Sequence, residues 1–271
     1  SLKDEPRPGR SSDFDAWELA DKLNTSQSTI CRHLEKMGKV SKLGVWVPHA
    51  LSEKNKADRL SIATSLLSRQ RNDPFLDEFI TGDEKWITYD NVARKRQWVD
   101  KDKSPQPDPK AELHGRKIML CVWWDRRGIH FELLNRNESV TADLYVQQLQ
   151  RVHQSLLEKR PALVNRKNVV LLHDNARPHT ARVTQERNLE LGWSVLPHPP
   201  YSPDLAPSDY HLFRSLQNSL MGTNFSNEDQ VREFVENFFM SKPAESYTKG
   251  IEVLLDKWQQ VIANDGEYII D

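Results

Sequence analysis

An α/β domain built on a mixed sheet, preceded by a small all-α region, is the architecture this 271-residue sequence predicts. Three observations lead there. FITGDEKWITYD, residues 79–90, changes to an alternation of period two from Thr81 onwards. VVLL (169–172) is a continuous apolar run, as expected of a short strand buried on both faces, and KIMLCVWWD (117–125) reads as a further strand. The segments between and after them carry apolar residues at helical spacing. Strands, one crossover helix, another strand and then helices make a sheet with both kinds of neighbour.

Composition narrows the classes of function. With 37% hydrophobic residues and eight Trp the chain can bury a real core, and 28% charge is typical of a soluble globular protein. A net charge of −1 argues against a uniformly basic nucleic-acid coat, while leaving room for local basic surfaces. Cys31 and Cys121 are far apart and belong to no C-x-x-C pair, so neither a disulfide framework nor a cysteine zinc site is expected, and a reducing compartment is. No apolar run approaches membrane-spanning length, and SLKDEPRPGRSS is charged and Pro-rich rather than a signal peptide. The expectation is a soluble, intracellular chain without a membrane partner.

Residues 1–43 read as a basic arm followed by a partial helix-turn-helix. Arg7 and Arg10 flank Pro8–Gly9, a shape that suits a minor groove or a solvated linker. Leu19, Ala20 and Leu23 mark a short helix, Asn24–Thr25 a turn with Thr25 as N-cap, and Ile30, Leu34 and Met37 a second helix ending at Gly38. Ser26, Gln27, Ser28, Arg32 and Lys36 fall on its polar face as candidate DNA contacts, although an ordinary helical hairpin would look the same. Residues 44–75 read as a linker holding WVPHAL (46–51) and entering a helix; helical pattern runs from about 53 to 79.

Residues 76–271 form the main domain. Strands are expected at 79–90, about 96–99, 117–125 and 129–135, with a proline-bearing loop at about 100–116. A helix over 141–158 presents Tyr145, Leu149, Val152 and Leu156 on one side. The strand 169–172 follows, then a helix, a short strand near Trp193–Leu196 and a helix over Tyr210–Met221. Ser226 and Asp229 suggest a capping box, leading into a stripe of Val231, Phe234, Val235, Phe238 and Phe239.

Three acidic residues stand where packing does not explain them. Asp83 lies inside a strand, where Asp is disfavoured; Asp174 ends a buried strand; Asp209 opens the last helical block, where it would also suit an N-cap. If the strand of Asp83 neighbours the one ending at Asp174, their carboxylates converge, and one from a following helix completes the group. Three such charges repel unless a cation neutralises them, and hard oxygen ligands suit Mg²⁺ or Mn²⁺. Two ions of that kind serve in-line phosphoryl displacement. Glu84 points to the other face of the strand and is the poorer candidate. His173 and His179 flank a turn without the helical H-x-x-x-H spacing of a zinc site.

TGDEKWI (81–87), LLHDNARPHTA (171–181) and YSPDLAPSDYHLF (201–213) resemble the catalytic blocks of the mariner family of DNA transposases, and WVPHAL resembles its linker motif. Residues 175–208 place 34 positions between Asp174 and Asp209, as in the family's triad. The resemblance runs over essentially the whole chain from the arm onwards. It implies a ribonuclease H-like domain with Asp83, Asp174 and Asp209 as catalytic residues and ligands of two Mg²⁺ or Mn²⁺ ions. It also implies double-stranded DNA partners (inverted repeats and TA target sites), no small-molecule cofactor and a nuclear protein. A homodimer would be built through Trp46, Val47, Pro48 and His49 and a clamp-like loop at about 100–116. Ala50 stands where the family usually has Glu, the first of two helix-turn-helix units has no counterpart, and the second is shortened. A non-catalytic DNA-binding or scaffolding protein, or an inactive relic, is the alternative. Nothing resembles the SET methyltransferase domain to which some family members are fused, so no methyltransferase activity is expected.

Overall fold

A computed structural model of the chain describes residue 20 and residues 23–36, 49–92, 115–135, 138–166 and 168–269. Arg7, Arg10, Trp46, Val47, Pro48, the strand expected at 96–99 and residues 100–114 of the expected clamp loop lie outside the described residues. The chain divides into a small unit up to Lys54 and a large unit from Asn55 to Ile269.

In the small unit, helix α1 spans Gln27–Lys36 and buries Ile30. Its cap is Ser26 rather than Thr25: the Thr29 amide donates to Ser26 Oγ at 3.2 Å, while the Thr25 amide closes the preceding turn onto the Ala20 carbonyl. Asn24, at φ 48°, supplies the left-handed residue of that turn. Ser26, Ser28, Arg32 and Lys36 are exposed, whereas Gln27 is half-buried and donates to Cys31 Sγ at 3.3 Å. His49 is exposed.

The large unit begins in helix α2, Glu53–Asn72, which stops earlier than the helical pattern suggested. Asp73 precedes Pro74, and the proline ring disfavours a helical residue before it. Strands β1 (Phe79–Thr88), β2 (Lys117–Asp125) and β3 (Gly128–Leu133) form an antiparallel meander. Helices α3 (Ala142–Lys159) and α4 (Pro161–Asn165) then cross to β4 (Val170–Leu172), which pairs parallel with β1. Helices α5 (Arg177–Thr180) and α6 (Arg182–Leu191) lead to β5 (Ser194–Val195), parallel to β4. The strand order is β3-β2-β1-β4-β5, the mixed sheet of a ribonuclease H-like domain.

The apolar runs are continuous because the sheet is covered on both sides. Leu120, Val122 and Trp124 face one core, which includes Val231 and Val235 of helix α8 (Glu228–Met240) and Ile251, Leu254 and Trp258 of helix α9 (Ala244–Ala263). Cys121 and Trp123 face the other, against Tyr145, Leu149 and Val152 of α3. The stripe on α8 is core, as its periodicity suggested. Its cap is shifted by one: Asn227 Oδ1 accepts from the Gln230 amide at 2.9 Å, and Gln230 Oε1 reaches back to the Ser226 amide at 2.8 Å. The box is therefore Asn227/Gln230, not Ser226/Asp229. Among the described residues no helix is long and apolar enough to cross a membrane.

Candidate catalytic carboxylate site

The parallel register brings two of the three acids to equivalent positions on neighbouring chain segments. Thr81 pairs with Leu172, so Asp83 and Asp174 each lie two residues beyond the last matched pair. β1 continues as strand there, while β4 ends and the chain turns away through Asn175, whose side-chain amide donates to the His198 carbonyl at 2.7 Å. Gly82 is what lets β1 pass at this point. A Cβ there would lie 2.6 Å from Trp123 Cδ1 and 2.7 Å from its Nε1, so the indole of β2 occupies the space a side chain would need.

Asp209 arrives on a different element from the expected one. Pro207, not Asp209, is the cap residue, and Ser208–Phe213 forms a six-residue π-helix that runs into helix α7, Arg214–Leu220. Such wide turns commonly mark functional sites, because they re-aim side chains that a regular helix would place elsewhere. Three contacts hold it. Trp124 Nε1 donates to Ser208 Oγ at 3.0 Å, the Tyr210 hydroxyl donates to the Gly250 carbonyl at 2.8 Å, and the Trp124 and His211 rings stack 6.1 Å apart.

The loop before it is clamped by Arg59 of α2, which is fully buried. Its two guanidinium ends grip both oxygens of Asp204 at 2.8 and 2.6 Å, and it also donates to Ser202 Oγ (2.6 Å) and to the carbonyls of Gly266 (2.8 Å) and Glu267 (3.1 Å). All five donors are engaged, which a buried guanidinium requires.

Electrostatics tie the three acids together. Burial, then the charges of Asp209, Glu84 and Asp174, push the Asp83 carboxyl well above its usual range, although the Glu84 amide donates to it at 2.7 Å. Burial and the Asp174 charge raise Asp209 to about 6, against the pull of Lys85. Lys85 shares the Asp83 face of β1, and its own pKa is lowered by burial despite both acids. Asp174 behaves oppositely. Burial would raise it, but hydrogen bonds from His179 and the Ala176 amide hold it below the ordinary value.

His179 was not foreseen in this role. Its Nδ1 lies 2.6 Å from Asp174 Oδ1 and its Nε2 3.1 Å from Glu84 Oε1, with the Tyr145 ring 4.2 Å away. Burial works against its charge, yet the two carboxylates lift its pKa to about 10. Glu84, on the opposite face of β1 from Asp83, thus reaches Asp174 indirectly. His173 is buried and held neutral, down to about 3, with its Nδ1 3.2 Å from the Tyr145 hydroxyl. The only clue in the sequence was the two histidines beside Asp174.

The donor set is hard oxygen, and two of its carboxyls are raised, with Lys85 offsetting the rise at Asp209. That chemistry fits a divalent cation such as Mg²⁺ or Mn²⁺. The carboxylates do not form a closed cage: among the described residues no group of three or more His, Cys, Asp or Glu is placed to hold a metal ion. The candidate DNA contacts Ser26, Gln27, Ser28, Arg32 and Lys36 all sit on or beside α1 in the small unit.

Comparison with known proteins agrees with this architecture. A family model described as Transposase (partial DDE domain) matches residues 88–166, a stretch that contains none of the three acids. The chain is 42% identical to the Mariner Mos1 transposase of Drosophila mauritiana, over 93% of this chain and 74% of that protein. It is 43% identical to the human Histone-lysine N-methyltransferase SETMAR, over 99% of this chain but only 42% of SETMAR's length. Its fold superposes on the crystal structure of the Mos1 mariner paired end complex with Mn at a TM-score of 0.85. That match has 38% identity and covers 100% of this chain and 83% of the other.

Proposed function

The chain belongs to the mariner family of DNA transposases, and from that premise we propose that it cuts DNA at transposon inverted-repeat ends and joins the freed ends to target DNA. The observation that carries this reading is the electrostatic linkage of Asp83, Asp174 and Asp209: burial and then Asp209, Glu84 and Asp174 raise Asp83, while burial and Asp174 raise Asp209. A site built that way is incomplete without a cation. Asp83, Asp174 and Asp209 would hold two Mg²⁺ or Mn²⁺ ions. The ions, when bound, supply charge neutralisation and an activated oxygen nucleophile for phosphodiester attack. Mn in the related Mos1 complex supports this choice.

The protein's own residues prepare the site. His179 fixes one oxygen of Asp174, so that the other remains for a ligand. The π-helix and the Arg59–Asp204 clamp aim Asp209. Lys85 offsets part of the charge between Asp83 and Asp209. Water attack at a transposon end would free a 3′-hydroxyl, which then attacks target DNA, at TA in keeping with the family habit. Double-stranded DNA, a homodimeric assembly and a nuclear location complete the proposal, and the paired-end complex of the Mos1 relative with its left transposon end supports the first. The methyltransferase named for SETMAR is not carried over, since the match spans 42% of that protein.

The test is cleavage of intact and pre-nicked inverted-repeat DNA with Mg²⁺ or Mn²⁺, beside Asp174→Ala. Metal-dependent cutting that the variant lacks is the expected result. Folded protein that binds DNA but cuts neither substrate would overturn it in favour of a scaffolding role.

A further inference from the structure

On the α3 side of the sheet, near the start of β1, lies a cavity of about 240 Å³ between the β2–β3 turn and α3. The positions follow from the register. Asp125 and Gly128 close the hairpin beside the start of β1, whereas Asp174 follows the far end of the parallel strand β4. The cavity floor is apolar and deep, because Ile80, Trp123, Trp124 and Val152 are each at most 2% exposed. Its rim is cationic, formed by Arg127, Lys159 and Arg160.

The rim charges are not equally committed. Arg160 pairs with Asp125 Oδ2 and donates to the Asp77 carbonyl at 2.8 Å. Asp125 is saturated, since its other oxygen accepts the Arg127 and Gly128 amides at 2.7 and 2.9 Å, so it brings no free negative charge to the mouth. Lys159 spends one donor on the Ile129 carbonyl at 3.3 Å. The exposed Arg127 guanidinium has no carboxylate partner among the described residues. A second hollow, of about 470 Å³, opens from the same three cations and adds Arg166, with Asp77 and Glu78 on its wall; Asp77 is itself paired with Arg126 at 2.7 Å.

A packing defect would be apolar all round. This cavity instead joins an apolar slot to unpaired positive charge, the pattern of a site that orients a small ligand by a few polar groups. An apolar cavity of about 150 Å³ admits a benzene ring, so the larger volume here suits two fused rings. We propose that it binds a small aromatic anion, with its rings between Trp123, Val152 and Leu156 and its carboxylate or phosphate against Arg127 and Lys159. The site is independent of the DNA chemistry proposed above.

The probe is 1-naphthoate, titrated into the full chain by calorimetry and by ligand-observed NMR, with neutral 1-naphthalenemethanol alongside. Saturable binding of one equivalent is expected, at least about tenfold tighter than the alcohol, the worth of one charge-assisted hydrogen bond. Arg127→Glu, at an exposed position, should weaken naphthoate about tenfold or more without lowering the melting temperature. Leu156→Trp should fill the slot and remove binding, while Asp174→Ala should leave it unchanged. Equal affinity for acid and alcohol, naphthoate binding that survives Leu156→Trp, or no saturable binding would each overturn the proposal.

Discussion

His179 sits between two carboxylates, and its charge belongs to the folded state. Its folded pKa of about 10 lies above the roughly 6.5 of an unfolded histidine. Its contribution is therefore complete below about pH 6.5 and is lost as pH rises towards 10. The gap in urea midpoint between the wild type and His179→Gln should be widest near pH 6 and should shrink steadily to pH 9.5; a gap that widens with pH would contradict the assignment. Gly82 gives a second test at this scale. Gly82→Ala places a methyl group within 2.7 Å of the Trp123 ring and should cost about 1–3 kcal/mol in thermal unfolding, the usual penalty of overpacking. The three aspartates of the candidate site stand out in the sequence because each occupies a place that packing does not explain. The link from His179 to Glu84 was not, since it joins residues 95 positions apart through a turn whose geometry no local pattern encodes.

Among the elements, Arg59 ties α2 to the loop that delivers Asp209 and to the stretch after α9. Arg59→Met leaves Asp204 buried without its partner and should destabilise the large unit by about 3–5 kcal/mol. Replacing both residues with apolar ones of similar size should recover most of that in chemical denaturation; if the double variant is no better than the single one, the pair is not the source of the loss. Strand and helix identities along the large unit could be read from periodicity and run length. Element ends could not be read as well. Ser26 and Asn227 each took the cap from a neighbouring residue that also suits it, and Pro74 ended a helix whose polar pattern ran on. The π-helix at Ser208–Phe213 has no signature of its own, because its wide turn is imposed by Trp124, Gly250 and the Arg59 clamp.

For the whole molecule, the raised carboxyls mean that the candidate site opposes the stability of the fold that holds it. Asp83→Asn removes a buried, repelled charge and should raise the metal-free melting temperature by several degrees, about 1 kcal/mol or more. Saturating Mn²⁺ should stabilise the wild type by about 2.7 kcal/mol at one hundred times its dissociation constant, and Asp83→Asn by much less. Equal metal-induced shifts in both proteins would remove Asp83 from the ligand set.

The sheet order adds a consequence in time. β1, β2 and β3 are neighbours through antiparallel pairing of consecutive strands, while β4 joins β1 only after α3 and α4 have crossed over. Pairings between distant parts of a chain close late, because the entropy of the intervening loop opposes them. Asp83 and Asp174 therefore stay apart until that crossover closes. The nascent chain meets their mutual repulsion only when the β1–β2–β3 meander is already in place.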